Sequence, residues 1–212
     1  MKSKSISFPS GALTLEGVLT IDRGATSLPG VVVCHPHPLY GGDMDDQVVR
    51  AICHELESID IASLRFNFRG VGNSQGEFDA GVGEADDLRA AISTLQHTPG
   101  VDPDSIGVAG YSFGATVALD VAAADPRVKA LATVSLPLKG RVPKPNAGYR
   151  GPSLLVSGDR DPFVPTERLK SLAQRLAGPA ECRIVAGANH FWGPHMEELT
   201  SSVADFFSRY LV

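Results

Sequence analysis

The sequence predicts an α/β fold: a mostly parallel central sheet of about eight strands, with helices on both faces. Three observations carry this. Short apolar runs without polar alternation recur after residue 30, the pattern of strands covered on both sides. Segments whose apolar residues repeat at the helical period lie between them. A period of two over residues 12–21 marks an antiparallel start with one wet face.

In chain order, the first two strands are expected over residues 5–8 and 12–21. In the second, Leu13, Leu15, Leu19 and Ile21 share one parity, and Thr14, Glu16 and Thr20 share the other. Residues 31–34, 61–66, 106–109, 128–134 and 153–156 follow as buried parallel strands, and 182–185 is strand-like. Val48, Ile52, Leu56 and Ile59 fall on one helical face, as do Leu88, Ala91, Ile92 and Leu95. Met196, Leu199, Val203, Phe206, Phe207 and Tyr210 form a third. Glu84, Asp86 and Asp87 sit near the start of the second helix and read as solvated charges matched to its dipole. Residues 139–151, with Pro143, Pro145, Asn146 and Gly148, read as a surface loop whose Lys139, Arg141, Lys144 and Arg150 are solvated. With no internal repeat or linker, residues 1–212 are expected to form a single domain.

Composition narrows the function classes. At 43% apolar and 20% charged residues the chain is expected to fold, not to remain disordered. A formal net charge of -5 argues against a nucleic-acid partner. Polar residues Thr14, Glu16 and Thr20 interrupt the N-terminal segment, so no signal peptide is expected, and no apolar run is long enough to span a bilayer. Cys34, Cys53 and Cys182 are odd in number and lack a C-x-x-C spacing, which suits free thiols and a cytoplasmic setting.

The strongest local signal is Gly110-Tyr111-Ser112-Phe113-Gly114, a G-x-S-x-G between an apolar strand run and a helix-forming segment. A serine raised on so tight a turn needs neighbours without bulk. There it sits by a helix N-terminus, whose free N–H groups favour developing negative charge. The competing reading is a serine that only caps the helix. A nucleophilic serine needs a base held in the right tautomer by an acid, in the order serine, acid, histidine. Downstream lie only His190 and His195. His190 follows a strand-like run and can reach the carboxyl edge of the sheet, whereas His195 starts the last helix and suits a capping or exposed role. The acid is Asp159 or Asp161, both just beyond the strand at 153–156. Pro162 keeps Asp161 out of helix, while Asp159 suits capping its own turn. Asp125 precedes the next strand and is poorly placed.

These motifs, with HPHPLYGGDMDDQVV (35–49), RFNFRGVGNSQGEFDAGVGEADDL (65–88), SGDRDPFVP (157–165) and GANHFW (187–192), resemble the α/β-hydrolase superfamily over nearly the whole chain. The resemblance is to its small, cap-less bacterial group related to dienelactone hydrolases. It implies an α/β-hydrolase fold without a cap domain and makes Asp161, ahead of x-x-V-P, the acid beside Ser112 and His190. It also implies an oxyanion hole from two backbone N–H groups. One is that of Phe113. The other comes from the loop after the first parallel strand, where Pro36 and Pro38 have no N–H; a match to the family's usual H-G-x makes His37 the donor, with Leu39 or Tyr40 as alternatives. No cofactor is implied, and the pair His35 and His37 lacks the ligands of a metal site. The glycines of 70–76 read as a structural loop beside the site, not a nucleotide loop, and Arg65 and Arg69 as surface or ion-pair residues. Dienelactone hydrolases proper use cysteine where Ser112 stands, which argues against lactone hydrolysis of that special type. The expected activity is hydrolysis of small or short-chain carboxylic esters. A thioesterase with the same residues and a non-catalytic binding protein of the same fold are the alternatives. The expected partner is a small-molecule ester or thioester, without nucleic acid or membrane; a homodimer is compatible with the sequence.

Overall fold

The computed structural model describes residues 1–22, 24, 26–139 and 149–212. Most of the loop expected over residues 139–151 therefore lies outside the described residues. The chain runs β1 (Lys2–Ser10), β2 (Leu13–Ile21), β3 (Leu28–Cys34), α1 (Gln47–Ser58), β4 (Ala62–Phe66), α2 (Val82–Gln96) and β5 (Val101–Tyr111). It continues through α3 (Phe113–Ala122), β6 (Val128–Val134), β7 (Ser153–Gly158), α4 (Thr166–Arg175), β8 (Ala180–Val185) and α5 (Met196–Leu211). The eight strands form one sheet in the order β1-β2-β4-β3-β5-β6-β7-β8. β1 and β2 form an antiparallel pair, β2 joins β4 antiparallel, and all later neighbours run parallel.

The missing polar alternation in the central strands has a direct cause: each face is covered by helices. In β5, Ile106 and Val108 pack with Leu88, Ile92 and Ala118 of α2 and α3. Ala109 and Tyr111 of the same strand join Val203, Phe206 and Phe207 of α5 and Val49 and Ile52 of α1 on the other face. β3 divides likewise, with Val32 and Cys34 in one cluster and Val31 and Val33 in the other. Burying each such side chain contributes on the order of 1.5–3 kcal/mol. Among the described residues no helix is long and apolar enough to cross a membrane.

Strand order reverses between β3 and β5. From β3 the chain passes through α1 to β4 on one side, and α2 then carries it back across to β5 on the other. The helices that follow β3 and β5 pack on opposite faces, α1 in one core cluster and α3 in the other. The chain thus diverges at the carboxyl ends of these strands and opens a crevice there, where ligands of open α/β sheets bind.

Two sequence expectations change. Glu84 and Asp87 are fully buried, not solvated; Asp86 is exposed, as expected. Glu84 accepts from the backbone N–H groups of Asp79 (2.9 Å) and Gly81 (2.7 Å), closing the start of α2. Asp87 accepts from the Ser10 hydroxyl (2.7 Å), the Arg69 backbone N–H (3.0 Å) and the Arg69 guanidinium at 3.0 and 2.8 Å. Arg69 is thus the ion-pair residue expected, and Arg65 pairs with Asp45 at 3.1 Å. The glycines of 70–76 belong to a structural loop, as expected, folded around Glu16, which accepts from the Asn73 backbone and side chain at 2.7 and 2.9 Å.

The Asp87 cluster ties the β1–β2 hairpin to α2 and to the loop after β4. Asp87→Ala is expected to cost about 3–5 kcal/mol in urea unfolding, because it strands a half-buried guanidinium and a buried hydroxyl. A loss below about 1 kcal/mol would show that the cluster is not a structural tie.

Candidate active site

β5 ends in the tight turn that the glycines of G-x-S-x-G permit. Ser112 has φ 55° and ψ -115°, a conformation unusual for a residue with a side chain. Its backbone N–H donates to the Val134 carbonyl at 2.9 Å. A Cβ on Gly110 would lie 2.3 Å from the Gly114 carbonyl oxygen, so β5 and α3 touch backbone to backbone. A Cβ on Gly114 would lie 2.5 Å from the Cys34 carbonyl, which presses the start of α3 against the end of β3. The Ser112 side chain makes no capping bond to α3. Its hydroxyl meets Nε2 of His190 at 3.0 Å.

Nδ1 of His190 lies 2.8 Å from Oδ2 of Asp161. A carboxylate only accepts, so Nδ1 carries the proton and Nε2 is the acceptor for the serine hydroxyl. Asp161 is itself fixed: its Oδ1 accepts from the Phe163 backbone N–H at 2.9 Å. All three residues are buried. Side chains 78 and 29 residues apart in sequence thus form one hydrogen-bonded chain.

The segment carrying His190 is tied at several points that sequence reasoning did not find. The Tyr111 hydroxyl donates to the His190 carbonyl at 2.9 Å, so the residue before the serine holds the backbone of the histidine. Burial, with Asp46 and Asp161 nearby, pushes the Tyr111 phenol up, and it stays a donor at physiological pH. The Gln47 side chain donates to the Phe191 carbonyl at 3.1 Å. Trp192, fully buried, donates its indole N–H to the Ser135 hydroxyl at 3.1 Å. A lone tryptophan beside a loop histidine was the available sequence signal for this anchor. Asp159 does not cap its own turn as expected; its Oδ1 accepts from the Gly187 N–H at 2.7 Å and joins the acid loop to the histidine loop. The other rejected candidates lie apart: Asp125 pairs with Arg127 at 2.6 Å, and His195 precedes α5 with Nδ1 4.0 Å from Glu198.

Opposite the histidine, the loop after β3 contains a 3₁₀ turn, Pro38–Tyr40. The Leu39 N–H is taken by Nδ1 of His37 (3.2 Å) and the Tyr40 N–H by the His37 carbonyl (3.1 Å). Among the described residues, the backbone N–H groups of His37 and Phe113 have no such partner. The His37 and Phe113 rings lie 5.0 Å apart. Beneath them, His35 is fully buried; its Nδ1 lies 2.6 Å from the Pro36 carbonyl, and its Nε2 accepts from the Phe68 N–H at 3.1 Å.

Residues 78–200 match the family model described as the dienelactone hydrolase family. The chain belongs to that family. A relative is an uncharacterised protein of Rickettsia prowazekii, 34% identical over 187 residues, covering 84% of this chain and 78% of its own. An α/β serine hydrolase homologue from Coxiella burnetii is 34% identical with a TM-score of 0.86, each chain being covered to 97%. An α/β serine hydrolase without a lid from Xanthomonas campestris superposes with a TM-score of 0.86 at 27% identity, over 100% of this chain and 96% of its own. This member of the dienelactone hydrolase family has the α/β-hydrolase fold, and among the described residues no lid is inserted between β6 and β7.

Burial lowers the His35 pKa to about 4, although the bond to Pro36 and the charge of Asp43 act the other way. The unfolded chain, with His35 near 6.5, then binds more protons than the folded one. The His35 contribution to stability is therefore present above about pH 6.5 and is lost as pH falls towards 4. In urea unfolding across that window, wild type is expected to show a slope of up to about 1.4 kcal/mol per pH unit from this site. His35→Asn is expected to flatten it, and an unchanged slope would exclude His35 as its source.

Proposed function

We propose that this protein is a serine hydrolase that cleaves carboxylic esters of small or short-chain acyl groups through an acyl-enzyme, with Ser112 as nucleophile, His190 as base and Asp161 as its orienting acid. The observation that carries the reading is the hydrogen-bonded chain from the Ser112 hydroxyl through His190 to Asp161, 3.0 and 2.8 Å in length. A serine serving only as a helix cap would aim its oxygen at α3, and this one does not.

The steps follow from the geometry. Nε2 of His190 takes the hydroxyl proton as Oγ attacks the ester carbonyl, and Asp161 stabilises the resulting imidazolium. The oxyanion is received by the backbone N–H groups of Phe113 and His37, while those of Leu39 and Tyr40 are already engaged. The carbon–oxygen bond to the alcohol then breaks as Nε2 returns its proton to the leaving oxygen. Water, deprotonated by His190, then bonds to the acyl carbon; the carbon–Oγ bond breaks, Nε2 returns the proton to Oγ, and the acid is released. With no lid over the mouth among the described residues, an exposed ester can approach directly, and short acyl groups need no deep pocket.

Ser112→Ala and His190→Ala are expected to abolish turnover of acetate and butyrate esters, and Asp161→Asn to reduce it on the order of 10⁴-fold. A serine-reactive phosphonate is expected to label Ser112 in the folded protein. Absence of label would favour a non-catalytic binding protein, and a near wild-type rate for Asp161→Asn would remove that residue from its role. Matched oxygen and thiol esters distinguish esterase from thioesterase; a higher kcat/KM for the thiol ester would reassign the substrate class.

A further inference from the structure

Two phenylalanines flank the imidazole of His190 and leave much of their surface in water. The Phe163 ring lies edge-on to it with centroids 4.8 Å apart, and the Phe191 ring does the same at 5.7 Å. They are 46% and 64% exposed. They come from separate loops, the acid loop and the histidine loop, so neither position follows from the other.

Exposed apolar side chains are common on loops that fray, but these two stand on fixed backbone. The Phe163 N–H is held by Asp161 at 2.9 Å, and its carbonyl accepts from the N–H groups of Leu138 (3.0 Å) and Lys139 (3.3 Å). The Phe191 N–H donates to the Asn189 side chain at 2.9 Å, and its carbonyl accepts from Gln47 at 3.1 Å and Gly193 at 2.8 Å. With the backbone of both residues pinned, a ligand has only the two ring torsions to order, which favours binding.

We propose that Phe163 and Phe191 form the subsite for the alcohol half of the ester, and that it selects flat, apolar alcohols of the arylmethyl type. This rests on the serine-hydrolase reading above. The argument is stereochemical. When the tetrahedral intermediate collapses, the carbon–oxygen bond to the leaving group breaks and the proton on Nε2 passes to that oxygen. The alcohol is released and the acyl group stays on Oγ of Ser112. The leaving oxygen must then be within about 2.6–3.2 Å of Nε2. The first carbons of the alcohol therefore sit at the imidazole edge, within reach of the two rings packed against it. The carbonyl oxygen points the other way, to the His37 and Phe113 N–H groups. A ring on the alcohol stacks edge or face against Phe163 and Phe191; a short alkyl chain leaves both in water.

The test compares benzyl, cyclohexylmethyl and ethyl acetate, which share one acyl group. In the wild type, kcat/KM for benzyl acetate is expected to exceed that for ethyl acetate on the order of tenfold, with cyclohexylmethyl acetate between them. In Phe163→Ser/Phe191→Ser the benzyl-to-ethyl ratio is expected to fall to within about twofold of unity. Both side chains are exposed, and circular dichroism checks that the variant is folded. Tyr40→Ser, beside His37 and 88% exposed, is expected to leave the ratio in place. A wild-type ratio near one, a ratio that survives the double substitution, or one that responds to Tyr40→Ser instead overturns the subsite while esters are still turned over through Ser112. Failure of the parent reading looks different: no ester is turned over at all, or turnover persists in Ser112→Ala, and the subsite falls with it.

Discussion

Between Gly110 and Gly114 the backbone of β5 meets that of α3 with no room for a Cβ on either glycine. This contact holds Ser112 at positive φ, a conformation that costs on the order of 1–3 kcal/mol and persists only when its surroundings impose it. Here they do: α3 is packed by Ala115 and Ala118 on one face of the sheet, β5 lies at its centre, and the Ser112 N–H is taken by Val134 of β6. Because Gly114 also abuts the end of β3, the same contact fixes the turn relative to the loop that bears His37. One steric constraint therefore positions both the hydroxyl and the surface facing it.

The remaining polar groups of the site are placed by hydrogen bonds that run between loops and leave few degrees of freedom. Asp159 and Asp161 leave the same turn after β7 and take different tasks, one holding the backbone of the histidine loop and the other its imidazole. Tyr111 and Ser112, adjacent in sequence, point to opposite ends of His190, its carbonyl and its ring. Such two-point contacts set a ring orientation as well as a distance, and both matter for proton transfer.

How much of this was legible depended on the range of the cause. The buried strands, the three helical faces and the serine turn were readable because their signals are local: apolar runs, helical spacing, glycines around a serine. His190 is distinguished from His195 by its place after a strand. Residues alone leave Asp161 and Asp159 both open, because both follow the same strand and their difference is which partner in the histidine loop each reaches. The burial of Asp87 has no local signal, since its partners Arg69 and Ser10 are distant in sequence. α4 leaves no helical period in the sequence, because only Leu169 and Leu172 of its ten residues are buried. The roles of Tyr111, Gln47 and Trp192 are wholly tertiary.

The anchoring of Trp192 has a wider implication. Its indole fills the core between α5 and the sheet and is bonded to Ser135 just beyond β6, so the histidine loop is continuous with the hydrophobic interior. A loop built in this way has no low-energy opening of its own: to swing the imidazole aside, the protein must extract its bulkiest side chain from the core. Competence for proton transfer and cooperative integrity of the core are then one property, and heat or denaturant removes both in a single transition.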